Sequence, residues 1–148
     1  MHSKFGPASK SYFAAKRAVA AQKRYGDLNE TKILDYAQSR KFEEATVGLS
    51  LLCSLPVDVV ERALLDSNKE ITLILTKALD YSWQTTMALL FLGAPDHKIG
   101  ARDLDEMRRE FAALNVETCR SVLKTYRSRR QAAAADSDER RLPQLHAQ

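Results

Sequence analysis

Residues that interrupt regular structure are scarce in this sequence, which has five glycines and four prolines in 148 residues. An all-β domain needs a turn signal about every 8 to 12 residues, so this scarcity favours helices over strands. The length is typical of one domain and is sufficient to bury a core without disulfides or metal ions.

Cysteine is also scarce. Cys53 and Cys119 lie far apart in the sequence, and no CxxC pair or Cys/His cluster accompanies them. This spacing indicates neither a zinc site nor a disulfide framework. We therefore expect two thiols in the core of a cytoplasmic protein.

Long apolar runs are missing as well. The longest uncharged stretches, residues 45–57 and 81–95, are shorter than the roughly 20 residues of a membrane-spanning helix, so no span is predicted. The acid-free N-terminal segment also has features of an organellar transit peptide, but it contains few serines and no apolar secretory core. A cytoplasmic location is the prediction that we favour.

Charge is distributed unevenly along the chain. Residues 1–26 carry six Lys or Arg and no acid, residues 27–96 carry six bases and eleven acids, and residues 97–148 carry eleven bases and eight acids. Both ends are therefore basic, whereas the middle of the chain is acidic.

Apolar residues recur at helical spacing, and capping residues stand where each pattern restarts. One example is the stripe of Ile71, Ile74, Leu75 and Ala78, and another is formed by Val116, Cys119, Val122, Leu123 and Tyr126. A third stripe consists of Leu104, Met107, Phe111 and Leu114. The expected caps and stops are Gly26, Asn29, Pro56 in a first turn, a Ser67/Glu70 capping box, Ser82, Gly93 and Asn115.

Short helices of this kind are not stable alone and must pack on one another. The sequence therefore predicts an all-α fold of six to eight short helices, in an orthogonal bundle or a HEAT-like helical array. We expect a flexible N-terminus at residues 1–8, a single helical domain at residues 9–130, and a flexible tail at residues 131–148.

Three pieces of the sequence carry a family resemblance. They are the K-F-E-E start at residues 41–44, the L-P-x-x-x-V-x-R-x-L stretch at residues 55–64, and the late residues Phe111, Thr118 and Arg127. The chain resembles, over residues 15–130, the C-terminal part of an uncharacterised bacterial helical family catalogued as domain of unknown function 2336. The resemblance implies helical repeats and no known enzymatic activity, and it transfers no site residues.

The sequence departs from that family in two ways. The resemblance implies that members of the family are longer than the sequence given, with a preceding HEAT-like helical portion. Their last helix also often carries a Phe-Trp pair, where this sequence has Thr125 and Tyr126.

Candidate catalytic groups do not form a recognisable pattern. His2, His97 and His146 lie in a terminus, a loop and a tail, and adjacent acids such as those at 43–44 and 105–106 diverge on a helix. No GxGxxG, GxxxxGK[ST], GxSxG or HExxH motif occurs. We expect no catalytic, cofactor-binding or metal-binding residues and no enzyme activity. The remaining alternative is an enzyme whose site is assembled from scattered residues.

The basic ends are the sharpest functional feature. We expect an interaction surface made of Lys16, Arg17, Lys23, Arg24, Arg120, Lys124, Tyr126, Arg127 and Arg130. The alternatives are solvated or intramolecular use of these cations, binding of an acidic protein, and binding of nucleic acid or anionic lipid. The function predicted is a non-catalytic protein-interaction or adaptor module with an unknown protein partner, and a nucleic-acid-associated protein is the alternative. A homo-oligomer is compatible with both.

Two aromatic features have alternative explanations. Residues 9–25 form either a detachable amphipathic helix for a partner or a second protomer, or a helix packed on the core of this chain. Trp83 is either a packing residue between helices or an exposed interaction anchor.

Overall fold

A computed structural model describes the backbone of residues 10–94 and 99–146 and the side chains of residues 12–94 and 99–132. In these ranges the chain forms eight α-helices and no strand. The prediction of an all-α fold with six to eight helices is confirmed. The helices are α1 Lys10–Arg24, α2 Glu30–Gln38, α3 Phe42–Cys53, α4 Val57–Leu65, α5 Glu70–Ala78, α6 Trp83–Leu92, α7 Ala101–Ala113 and α8 Val116–His146.

Three predicted N-caps are confirmed. The side chains of Asn29, Ser82 and Asn115 each accept a hydrogen bond from the backbone N–H three residues later, at 3.0, 3.3 and 3.0 Å. These bonds satisfy N–H groups that have no partner within the helix. They begin α2, α6 and α8.

Two other predicted helix starts are shifted. Ser67 is not the cap of α5, because the helix begins at Glu70, whose N–H donates to Asn68 Oδ1 at 3.0 Å. Pro56 precedes α4 in extended backbone, and the first helical residue is Val57.

Four helices end in the same left-handed turn. Gly26, Arg40, Ser54 and Asp80 have φ angles of 76°, 61°, 56° and 59°. In each case the N–H of the following residue bonds to the carbonyl five residues earlier, as in a Schellman motif. The turns at Arg40 and Asp80 lie 40 positions apart and join α2 to α3 and α5 to α6. This spacing is typical of HEAT-like repeats of about 40 to 47 residues.

The main core joins α1–α6 with the first half of α8. It includes Tyr12, Ile33, Leu49, Leu64 and Leu89, which are almost fully buried. Helix α1 packs on α3, α2 packs on α3 and α6, and α5 packs on α6, α7 and α8.

A smaller cluster attaches α7. Phe111 of α7 is buried with Leu73 and Leu90, its ring centroid lies 5.8 Å from that of Trp83, and Lys77 Nζ lies 4.5 Å from its centroid. Trp83 is therefore a packing residue between helices.

Helices α4 and α6 meet backbone to backbone. A Cβ atom on Gly93 would lie 1.9 Å from the carbonyl oxygen of Leu64, so glycine is required at this close approach. The buried Lys69 donates from Nζ to Leu64 O at 2.7 Å and to Gly93 O at 3.4 Å. Burial lowers the pKa of Lys69. Gly93 thus ends α6 and also fixes its position against α4.

Helix α8 continues past the predicted domain boundary. It has 31 residues and is about 46 Å long at 1.5 Å per residue. The helix extends into the alanine run after Arg130, where alanine has the highest helix propensity. The predicted flexibility of residues 131–148 stays a prediction, and residues 1–8 lie outside the described range.

Candidate interaction surface

Helix α1 packs on the core of its own chain. Of the two alternatives for residues 9–25, a detachable helix or a helix packed on the core, the structure has the second. Tyr12, Ala15 and Val19 form its buried stripe, and α3 is its main neighbour. The Tyr12 hydroxyl donates to Glu61 Oε2 of α4 at 2.9 Å. Burial and the Glu61 carboxylate raise the pKa of Tyr12 well above its usual value. Helix α1 is therefore held by apolar burial and by the hydrogen bond between Tyr12 and Glu61.

The four predicted surface cations of α1 all point to solvent. Lys16, Arg17, Lys23 and Arg24 are exposed, and none has a carboxylate within 4.0 Å among the side chains that the structure describes. Phe13, on the same outer side, is 62% exposed. This face of α1 is a solvated basic surface.

Two of the predicted cations of α8 instead bind backbone carbonyls. Arg120 Nε donates to Ala78 O at 2.9 Å, and Arg127 Nη1 donates to Cys53 O at 2.8 Å. Ala78 and Cys53 are the last residues of α5 and α3, where carbonyls have no partner within the helix. Arg120 also pairs with Glu117 at 2.8 Å. These arginines therefore attach α8 to the ends of two other helices.

An apolar groove lies between α4, α5 and α8, and we call it the α8 groove. It encloses about 150 Å³. Its apolar lining includes Leu55, Val59, Ala63, Ile74, Val122 and Tyr126. The charged residues Arg62 and Asp66 also line it.

Three large apolar side chains at the groove remain open to solvent. Ile71 of α5 is 46% exposed, and Val122 and Tyr126 of α8 are 43% and 37% exposed. The stripes read from the sequence grouped Ile71 and Val122 with buried residues, and this assignment is wrong. For Ile71 the sequence did contain an indication. The apolar residues of α5 are too many for one buried face, and Leu73, Leu75 and Ala78 already fill the side that faces the core.

A second depression continues the groove at Leu55. It is lined by the exposed Leu51 and by Pro56 on one side and by Arg127 and Arg130 of α8 on the other. The apolar groove therefore ends beside two arginines.

The structure divides the predicted surface into two parts. Tyr126, Arg127 and Arg130 lie at the α8 groove, and the exposed Lys124 lies on the same helix. No residue of α1 lines either depression. The main neighbour of α1 is α3, whereas α8 packs mainly on α5 and reaches the end of α3 through Arg127. Of the two basic segments, only that of α8 therefore contributes to the groove.

The remaining polar clusters have structural roles. Glu30 Oε2 accepts hydrogen bonds from the N–H and hydroxyl of Ser82, both at 2.9 Å, and from the Thr85 hydroxyl at 2.7 Å. Burial alone raises the pKa of Glu30, but these hydrogen bonds outweigh it and hold the pKa below the usual value. Glu30 thereby attaches α2 to the first turn of α6.

The two cysteines are free and buried. Burial raises the pKa of Cys53 to about 12 and also raises the pKa of Cys119, so both thiols are protonated at neutral pH. Within the described residues no three His, Cys, Asp or Glu side chains are close enough to hold a metal ion. The side chains of His2, His97 and His146 lie outside the described ranges.

Comparison with known proteins gives one match. A family model described as an uncharacterised protein conserved in bacteria (DUF2336) matches residues 3–124. The chain belongs to this family. No curated protein and no solved structure matches this family member. Among its described helices, none combines the length and apolar composition that crossing a membrane requires.

Proposed function

We propose that this family member is a non-catalytic protein-interaction or adaptor module that binds a protein partner through the α8 groove. The observation that carries the proposal is the exposure of Ile71, Val122 and Tyr126 around one apolar depression. Apolar side chains that surround one depression can receive apolar side chains of a partner, and tyrosine is common among the side chains that anchor interfaces.

The placement of charge also supports this proposal. The charged residues that line the groove are Arg62 of α4 and Asp66, the residue that follows α4. The rest of its lining is aliphatic or aromatic, which suits a protein side chain better than a phosphate group. A cytoplasmic location is part of the proposal and fits two buried cysteines that are free.

Affinity capture from the native cells, read by mass spectrometry, tests the proposal. Tyr126→Glu places a charge in the groove and is expected to remove the captured partner. Phe13→Glu is the matched control, because Phe13 is an exposed aromatic residue of α1 away from the groove. Equal capture by the wild type and Tyr126→Glu, with both folded by circular dichroism, contradicts the proposal.

Nucleic-acid binding through α1 is the second candidate function. The exposed Lys16, Arg17, Lys23 and Arg24, without carboxylates nearby among the described side chains, favour it. Titration of duplex DNA and of RNA against salt tests it, because phosphate contacts make affinity fall steeply with salt. Absence of binding at low salt removes this candidate.

A further inference from the structure

We propose that the occupant of the α8 groove is an amphipathic helix of another protein, whose apolar stripe is followed by acidic residues. This inference rests on the proposed function and adds the chemistry of the partner.

The groove runs along one face of α8. Val122, Tyr126 and Arg130 stand at i, i+4 and i+8 on α8, so they follow one face of that helix for about 12 Å. Leu55 joins the two depressions and Leu51 lies beyond it. A partner helix that lies along α8 can place apolar side chains from two successive turns in this space.

The charges at one end indicate what must follow the apolar stripe. Arg127 and Arg130 line the second depression, and the neighbouring Arg129 is exposed. No carboxylate lies within 4.0 Å of these three arginine side chains among the described residues. An acidic segment of the partner would satisfy these charges at the rim, where electrostatic complementarity sets specificity and association rate.

Helices of this chain are poor candidates for the occupant. The apolar stripe of α1 is buried on α3, and that of α7 is buried around Phe111. In the ranges with described side chains, every helix uses its apolar stripe in the core of its own chain. A second copy could therefore insert one of its helices into the groove only by exposing part of its own core.

Selection from a displayed library of random peptides tests the proposal. Peptides are selected on the wild-type chain after removal of those that bind Tyr126→Glu, with Val122→Glu as a second groove variant. We expect ligands with apolar residues at i, i+3 or i+4 and i+7, followed by Asp or Glu. Replacing those acids by Asn and Gln should weaken binding at least about tenfold, which corresponds to about 1.4 kcal/mol.

The charge end is tested separately by fluorescence anisotropy with a selected peptide. The double variant Arg129→Glu/Arg130→Glu should lower the affinity at least about tenfold. The same reversal at two exposed cations of α1, Lys16→Glu/Arg17→Glu, is the matched control and should leave it unchanged. Circular dichroism verifies that all variants remain folded.

The outcomes distinguish this inference from the proposed function. If the selected ligands depend on the groove but lack acidic residues, or bind the Arg129→Glu/Arg130→Glu variant with unchanged affinity, the inference of an acidic partner is wrong. The proposed function as an interaction module is not contradicted by that result. A selection that yields no Tyr126-dependent ligand overturns both. A dimer in sedimentation equilibrium that Tyr126→Glu dissociates shows that a second copy fills the groove, and this also overturns the inference.

Discussion

Helices α1 and α8 are both basic, but they use their residues in opposite ways. Helix α1 buries Tyr12 and Val19 and leaves its cations in solvent. Helix α8 buries Cys119 and Leu123, leaves Val122 and Tyr126 half open, and directs two of its arginines back to the body. A cluster of basic residues in the sequence therefore does not by itself indicate a basic binding surface, because some of the cations can bind groups of the same chain.

The carbonyls that α8 reaches explain the difference. Arg120 and Arg127 bind the last carbonyls of α5 and α3, which carry the partial negative charge of a helix C-terminus. Side chains of this length replace the water that these carbonyls would otherwise bind. Among the described residues, no cation of α1 donates a hydrogen bond to the end of a helix.

The largest expected effect is a difference in stability between removing a buried tyrosine from α1 and removing a half-exposed tyrosine from α8. Tyr12→Ala removes a fully buried ring and should lower the free energy of unfolding by about 3 to 5 kcal/mol. Tyr126→Ala, at a side chain that is 37% exposed, should lower it by less than about 1 kcal/mol. Urea unfolding measures both. Similar losses of unfolding free energy for the two variants would mean that the half-exposed Tyr126 stabilises α8 as much as the buried Tyr12 stabilises α1.

A smaller effect is expected at the carbonyl links. Arg127→Ala leaves Cys53 O without its donor and should lower the free energy of unfolding by about 1 to 2 kcal/mol. Arg17→Ala, at an exposed cation of α1, is the matched control and should change it by less than about 0.5 kcal/mol. Thermal and urea unfolding both report this difference, and equal losses would remove the distinction between the two helices.

The parts of the fold that could be predicted are those that depend on the conformational preference of a single residue. The caps at Asn29, Ser82 and Asn115 and the stop at Gly26 were predictable, because these residue types favour those positions. The left-handed turns at other residues were not. Arginine rarely adopts a positive φ, and aspartate, although enriched there, does so too seldom for the turn at Asp80 to be predicted.

The candidate site was predictable only in part. Tyr126, Arg127 and Arg130 were expected at a surface, and they do lie at the α8 groove. Periodicity places Ile71 and Val122 on apolar stripes but does not say whether another helix covers them. Their exposure depends on contacts between α5 and α8, which are distant in sequence.

The polar link of α1 should respond to pH, whereas the arginine links of α8 should not. Burial raises the pKa of Glu61, outweighing the Tyr12 hydrogen bond, and Asp58 and Glu43 raise it further. Since the folded pKa lies above the unfolded value of about 4.3, the contribution of Glu61 to stability is complete below that value. It is lost as the pH rises through the folded pKa.

The Glu61→Gln variant tests this sign. It keeps an oxygen that can accept from Tyr12 and should flatten the fall in stability above about pH 4. Glu30→Gln is the opposite control, because the pKa of Glu30 is lowered and its contribution is present above its unfolded pKa and lost as the pH falls. Urea unfolding from acid to neutral pH measures both, and matching pH profiles for the two variants would refute the assignment.

The smallest effect sharpens the comparison most directly. Replacement of all four α1 cations, Lys16, Arg17, Lys23 and Arg24, by glutamine should change the free energy of unfolding by less than about 0.5 kcal/mol in total, because none contacts a carboxylate among the described side chains. Calorimetry at low and high salt measures it. A larger, salt-dependent loss would show that the acidic middle of the chain attracts α1 through solvent. The cations of α1 would then stabilise the fold of their own chain, as Arg120 and Arg127 of α8 do.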